Sequence, residues 1–234
     1  MALPKLNDAP KYELIIPSTK KKMRFRPFLV KEQKILLIAM ESEDKSMIAN
    51  SIADTISSCA QEDLDINSLT MFDIEYLFTQ IRGKSVGESA NILAKCSECE
   101  AENKLNVPLD KIKIEINDKN KSIEINSEYT LNMKYPKFTD TIKIASSDKS
   151  NIDQMYELIY ACLDTLATQE ELIDFKDEPK EEIETFLDGL TQEQFDGISE
   201  FVSNMPSLKH DVKFKCNECK ESNTLTLNGI QDFF

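Results

Sequence analysis

The sequence is poor in the residues that most catalytic and ligand-binding motifs require. Its 234 residues include one histidine, no tryptophan and only five glycines. A single histidine sharply limits catalytic triads and histidine-rich metal sites, because both need imidazole groups in defined partnerships. The sequence also contains no GxGxxG, P-loop, HExxH or GxSxG motif. We therefore expect no enzymatic activity and no small-molecule substrate.

Long apolar runs are missing as well. No stretch of about 18 apolar residues occurs, so no membrane span is expected. The first ten residues lack the apolar segment of a signal peptide, which favours a reducing, cytosolic compartment.

Acidic residues dominate the charge. Lys and Arg number 28 against 42 Asp and Glu, giving a net charge of −14. Such a surface repels nucleic acids and anionic membranes, so neither is an expected partner. It favours solubility, or docking onto basic patches of other proteins.

The order of the local patterns is strands, helices, strands, helices, strands, which predicts an α+β fold. The predicted strands lie at 12–16 and 23–28 (a hairpin), 105–109, 112–116 with 123–125 (a hairpin), 131–135 and 211–215. The predicted helices lie at 31–41, 45–59, 70–83, 152–167 and 191–206. Residues 139–150 are predicted as a loop, and the acidic stretch 170–188 as a solvated linker or partner-facing surface. We expect an N-terminal hairpin-plus-helical region (1–84) and a β-rich, zinc-ribbon-like module (85–234) with a helical insertion at about 151–205.

The sequence makes specific predictions about the burial of the first helix and the ends of the third. The apolar residues of the first helix, at 31–41, should face the core; they are Ile35, Leu36, Ile38 and Ala39. The third helix should begin with a capping box formed by Thr70 and Asp73, and should end at Gly83, which accepts the left-handed conformation.

Four of the six cysteines form two Cys-x-x-Cys pairs, Cys96 with Cys99 and Cys216 with Cys219. Both segments follow the pattern Lys-Cys-x-Glu-Cys-x-x-x-Asn-x-Leu and form a short internal repeat. Two residues between thiolates let both sulfurs face one cation, and two such turns complete a tetrahedral shell with Zn–S distances of about 2.3 Å. We therefore predict that these four cysteines bind a structural Zn²⁺ ion.

The alternatives to this interpretation are a redox-active dithiol and a nucleic-acid-binding zinc ribbon. A redox Cys-x-x-Cys usually begins a helix beside a βαβ unit, whereas both pairs here lie between strand patterns. The net charge disfavours nucleic-acid binding. A closed shell of four sulfurs leaves no open coordination position, so a structural metal is expected instead of a catalytic one.

The remaining candidate residues have ordinary structural interpretations. His210 lies near the second pair, but four thiolates already suffice for a zinc ion. Cys59 and Cys162 lie on apolar helix faces and should be buried. Phe233 and Phe234 should either pack into the core or insert into a partner.

Several segments resemble one phage family. Residues 22–42, beginning Lys-Met-Arg-Phe-Arg-Pro-Phe-Leu-Val-Lys, resemble the opening of baseplate hub and hub-assembly proteins from T-even-type contractile-tailed bacteriophages. Residues 81–88, the paired cysteines and the closing segment 227–234 extend the resemblance over nearly the whole chain.

The resemblance implies a non-enzymatic protein of virion assembly. Such a protein would act with other baseplate hub or tail proteins in the cytoplasm of the infected cell, either as a hub subunit retained in the virion tail or as an assembly factor. The segment Phe25-Arg-Pro-Phe28 with Leu29 should then have one structural side and one partner-facing side.

Overall fold

The computed structural model describes residues 9–112, 114, 116 and 121–229. These residues form two compact units, one comprising the chain up to Ile114 together with the part from Ser207 onward, and the other lying between them in sequence, up to Pro206. Within the described residues, no helix combines the length and the apolar character needed to cross a membrane. The division at residue 84 that the sequence suggests stays a proposal.

Among the described residues, the first unit combines three two-stranded antiparallel sheets with three α-helices. Its elements are β1 (Tyr12–Ile15), β2 (Lys22–Phe25), α1 (Val30–Glu41), α2 (Lys45–Cys59), α3 (Met71–Ser85), β3 (Ser89–Lys95), β4 (Glu102–Pro108), and β9 (Lys209–Lys215) and β10 (Ser222–Asn228) near the end of the chain. The pairs are β1–β2, β3–β4 and β9–β10. The N-terminal hairpin is thus confirmed, and α2 has the predicted bounds.

The second unit contains one antiparallel sheet and four helices. In chain order its elements are β5 (Ser122–Glu124), β6 (Thr130–Met133), α4 (Phe138–Ala145), α5 (Asn151–Cys162), β7 (Leu163–Ala167), β8 (Leu172–Asp174), α6 (Lys180–Asp188) and α7 (Gln192–Ser203). The sheet has the order β5-β6-β7-β8. Its core includes Leu131, Ile159, Leu163 and Ile198, each at most 1% exposed. The predicted α+β class is confirmed in both units.

The N-terminal cap of α3 is built as predicted. The backbone N–H of Asp73 donates to Thr70 Oγ1 (3.3 Å), and the N–H of Thr70 donates to Asp73 Oδ2 (3.1 Å). Asp73 also accepts hydrogen bonds from the N–H and hydroxyl of Ser18, in the β1–β2 turn. The capping carboxylate therefore fixes the hairpin to the helix.

The predicted C-terminal end of α3 was wrong. The helix passes through Gly83 and ends at Ser85. A Cβ at Gly83 would lie 3.7 Å from Leu109 Cβ, an ordinary van der Waals distance, so the helical backbone continues through this position without special need for glycine. The hydroxyl of Ser85 accepts a hydrogen bond from the N–H of Phe28 (2.9 Å), which anchors the last turn.

The predicted burial of α1 was partly wrong. Leu36 and Ala39 are buried, but the side chains of Ile35 and Ile38 are 53% and 50% exposed. The buried side of α1 is completed by Glu32, which pairs with Arg26.

Two predictions in the second unit were wrong. The first half of the predicted loop at 139–150 belongs to α4, and the predicted helix over 152–167 ends at Cys162, after which β7 begins at Leu163. The acidic stretch 170–188 contains β8 and α6, so the linker alternative was also wrong, while the partner-facing alternative stays a prediction. The predicted insertion at 151–205 therefore contains strands as well as helices.

The hairpin predicted between 112–116 and 123–125 includes residues 113 and 115, which lie outside the described residues, so it stays a prediction. Ile123 lies in β5, where it pairs with Leu131 of β6. Residues 117–120 of the predicted turn lie outside the described residues, as do Phe233 and Phe234.

Candidate metal centre

The two Cys-x-x-Cys pairs lie in the turns of the β3–β4 and β9–β10 hairpins, which we call the first and second knuckles (residues 95–102 and 215–222). Two of the cysteines, Cys96 and Cys216, are buried, whereas Cys99 and Cys219 are exposed. Each pair thus follows one strand and precedes the next, as the sequence indicates.

The two knuckles have the same backbone geometry. In the first, the N–H of Glu100 donates to the carbonyl of Cys96 (3.1 Å), and the N–H of Cys96 donates to the carbonyl of Ala101 (3.0 Å). The second repeats both contacts, at 3.1 and 2.9 Å. Glu100 and Lys220 hold equivalent positions with φ of 57° and 62°, a left-handed conformation uncommon for residues other than glycine. The sequence repeat therefore encodes a repeated structure.

The four sulfur atoms meet in one cluster. Sγ of Cys96 lies 3.5 Å from Sγ of Cys219, Sγ of Cys99 lies 3.6 Å from Sγ of Cys216, and all four lie within 4.8 Å of one another. A tetrahedron with metal–sulfur distances of about 2.3 Å has edges of about 3.8 Å. The spacing and the all-sulfur donor set therefore fit a metal ion of the zinc type.

The thiols of the cluster have unequal proton affinities. Backbone N–H groups, that of Cys99 above all, lower the pKa of Cys96. The same arrangement, led by the N–H of Cys219, lowers the pKa of Cys216 to about 6. The N–H of Glu221 acts to lower the pKa of Cys219, but desolvation and the neighbouring thiols raise it to about 12. Four adjacent thiolates repel one another, so a divalent cation is what would make all four compatible.

Two asparagines form hydrogen bonds between the knuckles. Both belong to the repeated sequence pattern, but the sequence analysis predicted no role for them. Asn103 Oδ1 accepts the backbone N–H of Asn217 in the second knuckle (2.8 Å). Asn223 Oδ1 accepts the backbone N–H of Ser97 in the first (2.9 Å). Their recurrence at one position of the repeat is the signal by which they could have been found.

The other sequence candidates do not belong to the cluster. His210 is on β9, six residues before Cys216, or about 20 Å along the strand. Cys59 and Cys162 are fully buried, and desolvation raises the pKa of their thiols to about 11 and about 12. These two cysteines are structural, as expected.

Two segments of the family resemblance meet in the first unit. Phe28, in segment 22–42, donates its N–H to Ser85, in segment 81–88. Arg26 donates from Nη2 to Glu32 Oε1 and to the carbonyl of Ser58, both at 2.9 Å. The segment 25–29 therefore joins α1 to the C-terminal ends of α2 and α3.

Comparison with known protein families gives a match over most of the chain. A family model described as "T4 bacteriophage base plate protein" matches residues 9–234. No curated protein and no solved structure matches the chain.

Proposed function

Because the chain belongs to the family of T4 bacteriophage base plate proteins, we propose that it is a baseplate hub subunit or hub assembly factor, acting through protein–protein contacts and without catalysis. The family supports a structural role in the baseplate and contacts with other tail proteins. We further propose that it acts in the host cytoplasm during hub assembly.

The observation that carries the proposal is the exposed apolar surface of α1. Five large apolar side chains, one at its N-cap and four within the helix, are 45–80% exposed: Leu29, Val30, Ile35, Leu37 and Ile38. A helix with apolar residues on both its inner and outer sides is usually covered on both. We call these five side chains the α1 surface and propose that other baseplate proteins cover it.

Hydrogen bonds and an ion pair hold the start of α1 in place. The N–H of Leu29 donates to Glu32 Oε2 (2.7 Å), and Arg26 pairs with the other carboxylate oxygen. Burial acts to raise the pKa of Glu32, but the hydrogen bonds from Arg26 and Leu29 hold it below its ordinary value. Phe25 is 2% exposed whereas Leu29 is 45% exposed, in accord with one structural and one partner-facing side.

Affinity capture from infected cells tests the role. The tagged chain should retain baseplate proteins, identified by mass spectrometry, and Leu37→Lys with Ile38→Lys should lose them. Ile152→Lys is the matched control, because Ile152 is 66% exposed but lies on α5. Recovery of RNA or of a small molecule in place of baseplate proteins would contradict the proposal.

We also propose that the cysteine cluster holds a structural Zn²⁺ ion bound by Cys96, Cys99, Cys216 and Cys219. Four sulfur ligands complete a tetrahedral shell and leave no position for water or substrate, which supports a structural role. Since the ligands come from distant parts of the chain, the free energy of metal binding would contribute to folding.

Metal analysis of the purified protein tests this assignment. About one zinc ion per chain is expected, and Cys216→Ser should release it, while Cys59→Ala should retain it because Cys59 lies outside the cluster. Thiols that react fully without a chelator would instead indicate a redox dithiol. A metal-free chain with the same thermal stability would contradict a structural zinc.

A further inference from the structure

Asn103 and Asn223 make matching contacts with the sulfur cluster, and each reaches the knuckle to which it does not belong. Asn103 follows the first knuckle, but its Nδ2 lies 3.7 Å from Sγ of Cys216. Asn223 follows the second knuckle, and its Nδ2 lies 3.4 Å from Sγ of Cys96. Both distances are within the range of N–H···S hydrogen bonds. Each amide thus donates to the buried sulfur of the opposite pair.

Each amide is also fixed by at least two further hydrogen bonds. Nδ2 of Asn103 donates to the carbonyl of Ala101 (2.9 Å), while its Oδ1 accepts the N–H of Asn217. The second asparagine repeats this pattern with Glu221 (3.0 Å) and Ser97. In both side chains the amide oxygen therefore accepts and the amide nitrogen donates. A 180° rotation of either amide group would lose these hydrogen bonds.

Because both amide groups are buried, losing one of these hydrogen bonds should be costly. Asn103 is 1% exposed and Asn223 is 9% exposed, so water does not readily replace a lost partner. A hydrogen bond to a thiolate favours the charged form, and four thiolates on one divalent ion leave a net negative charge that needs such donors.

We infer that Asn103 and Asn223 are positioning residues of the metal centre: their crossed amides hold the two knuckles in register and stabilise the metal-bound thiolates of Cys216 and Cys96. The inference rests on the metal site proposed above. It adds that the asparagine of each repeat donates to a cysteine of the other repeat, so each knuckle depends on the other for one N–H···S hydrogen bond.

Metal release from the full-length chain provides the test. With zinc bound, Asn103→Leu and Asn223→Leu should each speed transfer of zinc to a chromophoric chelator about 10-fold or more, as for other groups that support metal ligands. Asn106→Ala is the matched control, because Asn106 lies on the same strand and bonds Asn91 and Ser89 instead of sulfur. The control should release zinc at the parent rate.

A second substitution separates positioning from simple loss of structure. Asn103→Asp keeps the oxygen that accepts the N–H of Asn217 but replaces the amide donor with an oxygen beside Cys216. With Co²⁺ in place of zinc, this variant and Asn103→Leu should shift the thiolate-to-cobalt absorption band to lower energy. Loss of an N–H···S bond has this effect, whereas a general loosening would broaden or bleach the band.

The possible failures are distinguishable. Release rates and cobalt spectra equal to those of the parent, in folded Asn103→Leu and Asn223→Leu chains, would overturn the inference and leave the metal site intact. A parent chain that takes up neither zinc nor cobalt would overturn the metal site itself, and this inference with it.

Discussion

Helices α1 and α3 both carry many apolar side chains but differ in how many of them are buried. In α3, the apolar side chains Leu77, Phe78 and Ile81 are all 0% exposed. In α1, residues 35–40 form an unbroken apolar run, and Leu37 within it is 59% exposed. Both helices lie in the same compact unit, which therefore buries the apolar stripe of α3 but only part of the apolar run of α1.

The different burial of these two helices separates contacts made within the chain from contacts that we attribute to other proteins. The sequence around α3 finds its partners within the chain, through Ser18, Leu109 and Leu208. The outward apolar residues of α1 remain 45–80% exposed among the described residues, which is the expected state of a subunit outside its assembly. If this comparison is right, substitutions in α3 should change stability, and those on the α1 surface should change assembly.

The largest effect is expected at Leu77. Replacing this fully buried side chain with alanine removes apolar contacts and leaves a cavity, at a cost of about 2–5 kcal/mol in the free energy of unfolding. Urea denaturation followed by circular dichroism measures the loss. A cost below about 1 kcal/mol would show that α3 is not a core helix.

A somewhat smaller effect is expected at Asp73. Asp73→Ala removes the acceptor for Ser18 and Thr70 and should cost about 2–3 kcal/mol, because buried donors lose their partner. Asp44→Ala is the matched control, since Asp44 caps α2 from an exposed position and should cost only about 1 kcal/mol. Equal costs for the two substitutions would argue against the link between hairpin and helix.

Local signals predicted the elements that local interactions define. The capping box at Thr70 begins α3, and each Cys-x-x-Cys pair lies in the turn of a hairpin. In these cases the residues that carry the signal also make the hydrogen bonds or the close contacts. The same is true of the β1–β2 hairpin.

Long-range contacts decided the elements that the sequence did not predict. Residues 163–167 continue the helical spacing of α5, but Leu163 and Leu166 pair with Met133 and Leu131 of β6 and so form a strand. Likewise, the crossed contacts of Asn103 and Asn223 depend on two hairpins meeting, which no local pattern specifies. The helical period of α1 predicts a helix correctly but cannot tell which apolar side chains another protein will cover.

A smaller, pH-dependent effect is expected at Glu75 of α3. Desolvation raises the pKa of this carboxyl group, although the N–H of Leu208 partly opposes the shift. The protonated form is therefore favoured in the folded chain, and its contribution to stability is full below about pH 4.5 and is lost as the pH rises through the raised pKa.

Glu75→Gln should consequently be more stable than the parent chain at pH 7, and the difference should vanish near pH 4. Glutamine keeps an oxygen to accept the N–H of Leu208. Denaturation curves of both chains at each pH measure the difference, and metal loss at low pH affects both alike. A variant that is less stable than the parent at pH 7 would contradict the raised pKa.

The smallest effect on stability is expected on the α1 surface. Leu37→Ala should change the free energy of unfolding by no more than about 0.5 kcal/mol, because the side chain is already largely in water. The same substitution should shorten retention on a hydrophobic-interaction column, since it removes exposed apolar area. A cost close to that of Leu77→Ala would mean that the chain itself covers Leu37, and the proposal that baseplate partners cover α1 would then lose its basis.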